Sequence, residues 1–250
     1  MPSLKLNSMS SSQIRVFPVI GYQGAPYLVP PGNTLDSLSK AFDVGADMVD
    51  VTIRRTRDDV IVLYYDAVRK IDEREVPLRE RDYSEWKQRT QDDGVEIATL
   101  DDVFALAARQ NKGIKLDVRE AGLENLLARA IRRSGFPLES LLVTMPDATM
   151  RSILRVLDPK IPLAHWHDPA LPITAKLLTE IDTEAVTWNY RQLNPAIVKV
   201  LHLRGILVYT WTVDLAEDMR QMRDNCLVDG VITRAPDLLK SLPLTLARTT

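Results

Sequence analysis

Histidine is the side chain best suited to proton transfer at neutral pH, and the 250-residue chain holds three. Two of them stand two positions apart in His165-Trp166-His167-Asp168. In extended chain that spacing turns both imidazoles to one face, so both can reach a common site, with Asp168 placed to orient one ring. The same spacing suits a pair of metal ligands, although His-x-His alone is a weak signal. A plainer reading has both rings bonding loop backbone at a strand end. His202 falls in a helical stretch and is expected to face solvent or the outer layer. Carboxylates offer the second chemistry. Asp50 and Asp117 stand near the ends of two β-rich runs, where they either hold a cation or ligand or simply pair with Arg54 and Arg119.

Residues so far apart in the chain need a frame that gathers strand ends. Val16–Ile20, Ala46–Ile53, Ile114–Val118, Leu141–Thr144, Ile161–His165, Ala185–Trp188, Ile206–Trp211 and Gly230–Thr233 read as strands. Between them lie amphipathic helical stretches, among them Thr34–Val44, Thr99–Ala108 and Ala121–Arg133, with further starts near Ala148, Ile173, Pro195, Leu215 and Pro236. Thr34 and Thr99 are candidate N-caps. Buried parallel strands need crossover helices, and eight such units in about 230 residues match a (β/α)8 TIM barrel. The first β–α turn (Gly21, Gln23, Gly24) is no dinucleotide fingerprint, and no phosphate-binding P-loop pattern occurs, which disfavours an open doubly wound sheet. The expected organisation is one barrel over 14–242, with tails at 1–13 and 243–250 and a charged insertion at 69–96. Val60–Tyr65 extends or partners the second strand. The insertion is too polar for core strands and reads as a solvated lid. In a barrel the chemistry belongs at the C-terminal ends of the strands.

Composition narrows the function classes. Lys and Arg total 32 against 34 Asp and Glu, so the chain lacks the basic excess of a nucleic-acid coat. No apolar run reaches the roughly 18 residues of a membrane span. Cys226 is the sole cysteine, which excludes an intrachain disulfide and a Cys-based zinc cluster. The Ser-rich opening lacks a signal-type apolar core, and a cytoplasmic location is expected.

At the strand ends the sequence resembles the glycerophosphodiester phosphodiesterase family, over roughly residues 15 to 240. The family's His-Arg-Gly stands here as Tyr22-Gln23-Gly24, and its Pro-Glu-Asn-Thr as Pro31-Gly32-Asn33-Thr34. Its Gly-Ala-Asp-x-x-Glu-x-Asp run is matched by Gly45-Ala46-Asp47, Asp50 and Thr52, followed by Ile53, Thr56 and Asp58. His-Asp becomes Tyr65-Asp66, and Glu-x-Lys becomes Asp117-x-Arg119. Trp211-Thr212-Val213-Asp214 and Val228-Asp229-Gly230-Val231-Ile232-Thr233, with Pro236 beyond, follow the family endings closely.

The resemblance implies such a barrel, and a site in which scaffold residues persist while chemical ones change. Tyr22 and Tyr65 occupy the places of two proton-transferring histidines, and Gln23 that of a phosphate-binding arginine. Asp50, Thr52 and Asp117 correspond to the carboxylates that hold Mg²⁺ or Ca²⁺, so a weak cation site is expected. Each Glu-to-Asp change retracts an oxygen by about one bond, ~1.5 Å. Arg119 remains to face a phosphate, and Trp211, with Trp188 on the neighbouring strand end, is expected to wall the pocket. The leading expectation is a small phosphodiester or sugar-phosphate-like ligand at the mouth, with ordinary hydrolysis lost or weakened. The alternatives are an active hydrolase or transferase using His165 and His167, or a structural, protein-binding barrel.

Overall fold

Eight parallel strands close into a ring. In chain order they are β1 (Val19–Tyr22), β2 (Met48–Arg55), β6 (Gly113–Val118), β7 (Leu141–Met145), β8 (Leu163–Trp166), β9 (Ala185–Asn189), β10 (Leu207–Trp211) and β11 (Gly230–Thr233). β3 (Ile61–Leu63), β4 (Val68–Ile71) and β5 (Arg74–Pro77) lie outside the ring, between β2 and β6 in the chain. β1 pairs with both β2 and β11, which leaves this ring no free edge. The structure is a computed structural model and describes residues 17–241 except Asp72 and Asp93. The expected tails at 1–13 and 243–250 lie outside the described residues.

Helices α1 (Leu35–Asp43), α3 (Leu100–Gln110), α4 (Glu124–Ser134), α5 (Ala148–Leu157), α6 (Ala175–Glu180), α7 (Pro195–Leu203) and α8 (Ala216–Gln221) return the chain between strands. Thr34 caps α1 by accepting from the Ser37 amide, and Thr99 forms a reciprocal capping box with Asp102 on α3. The stretch at Pro236 is a 3₁₀ turn rather than an α-helix.

Strand alternation sorts the residues into two cores. Ile20, Met48, Leu142, Ala164, Ala185, Tyr209 and Ile232 point inward and fill the barrel interior. Val49, Val51, Ile53, Ile114, Leu116 and Val118 point outward into the helix layer. Gly113 is required at its place, since a β-carbon there would come within 2.6 Å of Met48 Cγ.

A further expectation is corrected. The charged segment is no freely solvated lid: it forms a hairpin of β4 (Val68–Ile71) and β5 (Arg74–Pro77), then helix α2 (Tyr83–Asp92). Buried Leu78 and Trp86 anchor it to Val62 and Ile97, and the Trp86 indole donates to the Leu78 carbonyl at 2.7 Å. One large aromatic is enough to pin a segment whose other side chains are mostly charged. His202 takes the outer-layer position of its two expected ones: its Nε2 lies 2.8 Å from Asp229 Oδ2, and the same carboxylate oxygen accepts from the Val208 amide. Within the Val60–Tyr65 run, β3 (Ile61–Leu63) is an antiparallel partner of β2, one of the two arrangements its sequence allowed.

Candidate functional site

The C-terminal ends of β1, β2 and β6 bring the charged residues together because these strands are neighbours in matched register. Tyr22 lies opposite Asp50, Asp50 opposite Lys115, and Thr52 opposite Asp117. All five positions alternate onto the inward face. Asp50, Lys115 and Asp117 are almost fully buried. Each carboxylate has its own cation: Lys115 Nζ donates to Asp50 Oδ1 at 3.0 Å, and Arg119 Nε donates to Asp117 Oδ2 at 2.7 Å. Burial pushes the Asp50 carboxyl up to about 6, against the pull of Lys115.

Tyr65 stands over this floor, with the Arg119 guanidinium 4.7 Å from its ring centre. Arg119 first, then Tyr22, draws the Tyr65 phenol below its usual value. Tyr22 shifts the other way, raised by burial first, then by Tyr65 and by the Asp50 charge. The two phenols are therefore not equivalent.

On the far side, the Trp166 and Trp211 rings stack at 6.0 Å and 8°. Together with Pro146, Thr187 and Ile232 they complete a cavity of about 400 Å³, within the usual range for small-molecule sites. The buried Trp211 Nε1 has no hydrogen-bond partner among the described residues.

Of the expected site residues, Tyr22, Asp50, Tyr65, Asp117, Arg119 and Trp211 line this cavity, and His165, His167, Trp188, Gln23 and Thr52 do not. The histidines do share one face, as their spacing predicts, but it is the outward one. β8 turns Ala164 and Trp166 inward, so His165 and His167 face a neighbouring cavity of about 610 Å³ with Asp168, Leu171 and Thr174. Trp166 and Pro146 line both cavities and divide them. His167 is buried, with Nε2 3.1 Å from the Leu171 carbonyl oxygen and its ring against Trp188. Burial, then Arg151 and His167, lower His165 to about 4. Trp188 is likewise outward-facing and wholly buried in the helix layer.

Gln23 is held by its backbone: its amide donates to the Asp50 carbonyl, and its own carbonyl accepts from Asn33 and Ser37. Its φ of 55° is left-handed. Asn33 in turn brackets Thr52, accepting from its amide at 3.1 Å and donating to its carbonyl at 2.9 Å. A β-carbon on Gly32 would come within 2.8 Å of Gln23 Cβ, so a carboxylate at 32 and glutamine at 23 compete for one space.

Lys115 and Trp166 are the site residues that sequence reasoning missed. Both were accessible to the period of two: Lys115 stands two before Asp117, and Trp166 alternates with the histidines.

The donor set does not fit the expected divalent cation. A hard ion requires several anionic oxygens, yet Asp50 and Asp117 are each paired with a side-chain cation and Thr52 brings only a neutral hydroxyl. Among the described residues no group of three His, Cys, Asp or Glu side chains is placed to hold a metal. No described helix is long and apolar enough to cross a membrane.

A closed parallel barrel whose inner strand ends carry a carboxylate-and-cation floor beneath a ligand-sized cavity defines the class: a (β/α)8 TIM barrel with a polar site at its C-terminal mouth. Residues 23–238 match the model of the glycerophosphoryl diester phosphodiesterase family, and the chain belongs to that family. It is 23% identical over 239 residues to the glycerophosphodiester phosphodiesterase of Caldanaerobacter subterraneus subsp. tengcongensis, covering 90% of this chain and 96% of the relative. A putative glycerophosphodiester phosphodiesterase of Galdieria sulphuraria superimposes with a TM-score of 0.80 at 18% identity, over 92% of this chain and 98% of its own. An Oleispira antarctica phosphodiesterase in complex with the product sn-glycerol 3-phosphate does so with a TM-score of 0.77 at 20% identity, over 90% and 95%. Family members are generally dependent on a divalent metal.

Proposed function

We propose that the mouth of this barrel binds a phosphodiester or sugar-phosphate-like small molecule, and that ordinary glycerophosphodiester hydrolysis is lost or strongly weakened. The observation that carries this reading is that Tyr22 and Tyr65 both line the mouth where the family pattern has two histidines. A positioned acid or base contributes about 10²- to 10⁴-fold. Burial first, then Tyr65 and the Asp50 charge, move Tyr22 further from neutral pH, and a phenol whose ordinary value is near 10 is a poorer base there than the imidazole it replaces. Both remain good hydrogen-bond donors to an anion. Lys115 and Arg119 supply positive charge for phosphate oxygens, and the Trp166–Trp211 stack offers a flat apolar wall for the organic part. The product seen in the Oleispira relative belongs to the same ligand class.

The reading in which His165 and His167 move the protons has the geometry against it, since both rings face the other cavity. A purely structural barrel predicts no ligand response at all. Thermal shift with glycerophosphodiesters and sn-glycerol 3-phosphate separates these cases, because only a ligand of the native state raises the melting temperature. The expected result is a shift without turnover of glycerophosphocholine. Restoring Tyr22→His, Gln23→Arg, Gly32→Glu, Thr52→Asp and Tyr65→His together should regain detectable turnover where single reversions do not. A wild-type kcat near the enzyme median of roughly 10 s⁻¹ would refute the loss of hydrolysis.

A further inference from the structure

We propose that the Lys115 ammonium takes the place of the family's divalent cation, so that the mouth binds phosphate oxygens through side-chain cations and needs no metal. The ligand in this proposal rests on the phosphodiester reading above; the replacement of the cation does not.

The case starts from register. Asp50 on β2 and Lys115 on β6 are direct neighbours across a parallel pair, both facing inward. Their charged atoms meet at 3.0 Å with side chains 6% and 4% exposed. A buried ammonium is tolerated only when paired, so Lys115 cannot give up Asp50 without a substitute anion. Just past the end of β6, Arg119 engages Asp117 in the same way. An entering divalent ion would meet two carboxylates already neutralised and two positive groups tethered beside them.

The same arrangement serves an anion. Guanidinium carries five N–H donors and ammonium three, more than the bonds that Asp117, Tyr65 and Asp50 absorb. Both side chains line the cavity, and Arg119 is about one-third exposed toward it. A phosphate oxygen placed between them meets charge-assisted donors without bridging through a metal.

The test uses the purified full chain, melted in EDTA and in millimolar Mg²⁺ or Ca²⁺, and titrated calorimetrically with sn-glycerol 3-phosphate under the same conditions. For the wild type we expect the same melting temperature and the same affinity with and without cation. Lys115→Gln removes the tethered charge and frees Asp50. That variant should gain a cation-dependent rise of roughly 2–4 °C and bind sn-glycerol 3-phosphate roughly tenfold or more weakly in EDTA. Wild-type stabilisation by either cation, or loss of ligand affinity in EDTA, overturns the proposal. A folded Lys115→Gln protein that ignores both cations overturns it equally. Should that variant not fold, the wild-type EDTA comparison decides alone. If no phosphate ligand binds while the two cation results hold, the phosphodiester reading falls and the replacement of the metal stands.

Discussion

Two cavities sit side by side at the top of this barrel, divided by Trp166 and Pro146, and they hold opposite kinds of chemistry. One opens inside the ring over β1, β2 and β6 and is floored by two buried carboxylates, each paired with a side-chain cation. The other lies outside β8, against α6, and holds two imidazoles among apolar residues, Asp147, Asp168 and Thr174. The difference follows from the pleat: neighbouring positions on one strand face different compartments. Residue type therefore says little about function until the face is known. The histidines, the best proton carriers in the chain, stand on the wrong side of the wall for the mouth. The mouth in turn holds its charges in fixed pairs that suit binding better than proton transfer.

Breaking the inner floor should produce the largest effect. Asp50→Asn leaves the Lys115 ammonium buried without its counter-charge, and loss of about 3–5 kcal/mol is expected in urea unfolding. The double variant Asp50→Asn with Lys115→Met should recover much of it, because both charges are then gone. An Asp50→Asn protein as stable as wild type would show that the pair is solvated and the floor is not what the geometry indicates.

A medium effect should separate the cavities in binding. Arg119→Ala is expected to weaken sn-glycerol 3-phosphate by about 10- to 100-fold, the scale of a lost charge-assisted bond. His165→Gln and His167→Gln should leave affinity within roughly twofold, since neither ring lines the mouth. Equal losses in all three variants, measured by calorimetry, would erase the division between the compartments.

The smallest effect belongs to the outer cavity and depends on pH. His165 is lowered to about 4 by burial, then by Arg151 and His167. Between the ordinary value of roughly 6.5 and about 4, the unfolded chain binds a proton that the folded chain refuses. Its contribution is thus full above about pH 6.5 and is lost as pH falls toward 4, on the order of 1–2 kcal/mol after allowing for partial exposure. His165→Phe should flatten that part of the stability profile relative to wild type. An identical slope in both proteins would mean that His165 titrates freely.

The barrel was legible because its signals are local and repeated. Short β-rich runs alternate with amphipathic stretches, and the cap at Thr99 and the glycine at Gly113 mark boundaries that the structure reproduces at α3 and β6. The charged insertion was misjudged because a few apolar residues scattered through it, Leu78 and Trp86 above all, gather on Val62 and Ile97 and outweigh the polarity of their neighbours. In the site, Asp50, Asp117 and Arg119 were legible as a cluster, and so were the tyrosines. Their pairing was not: the period of two puts Lys115 on the face of Asp117, but its contact with Asp50 appears only when β6 is laid beside β2.

The amino-acid sequence by itself determined the barrel, the family and the change of both histidine positions to tyrosine. Periodicity and motif spacing need no knowledge of distant contacts. Only the tertiary structure decided which residues meet. The ammonium of Lys115 reaches Asp50 across 65 positions of chain, and His165 and His167 are turned away from the mouth by the inward position of Trp166. Strand register and strand face are set by closure of the whole ring, and closure is a property that no local segment carries.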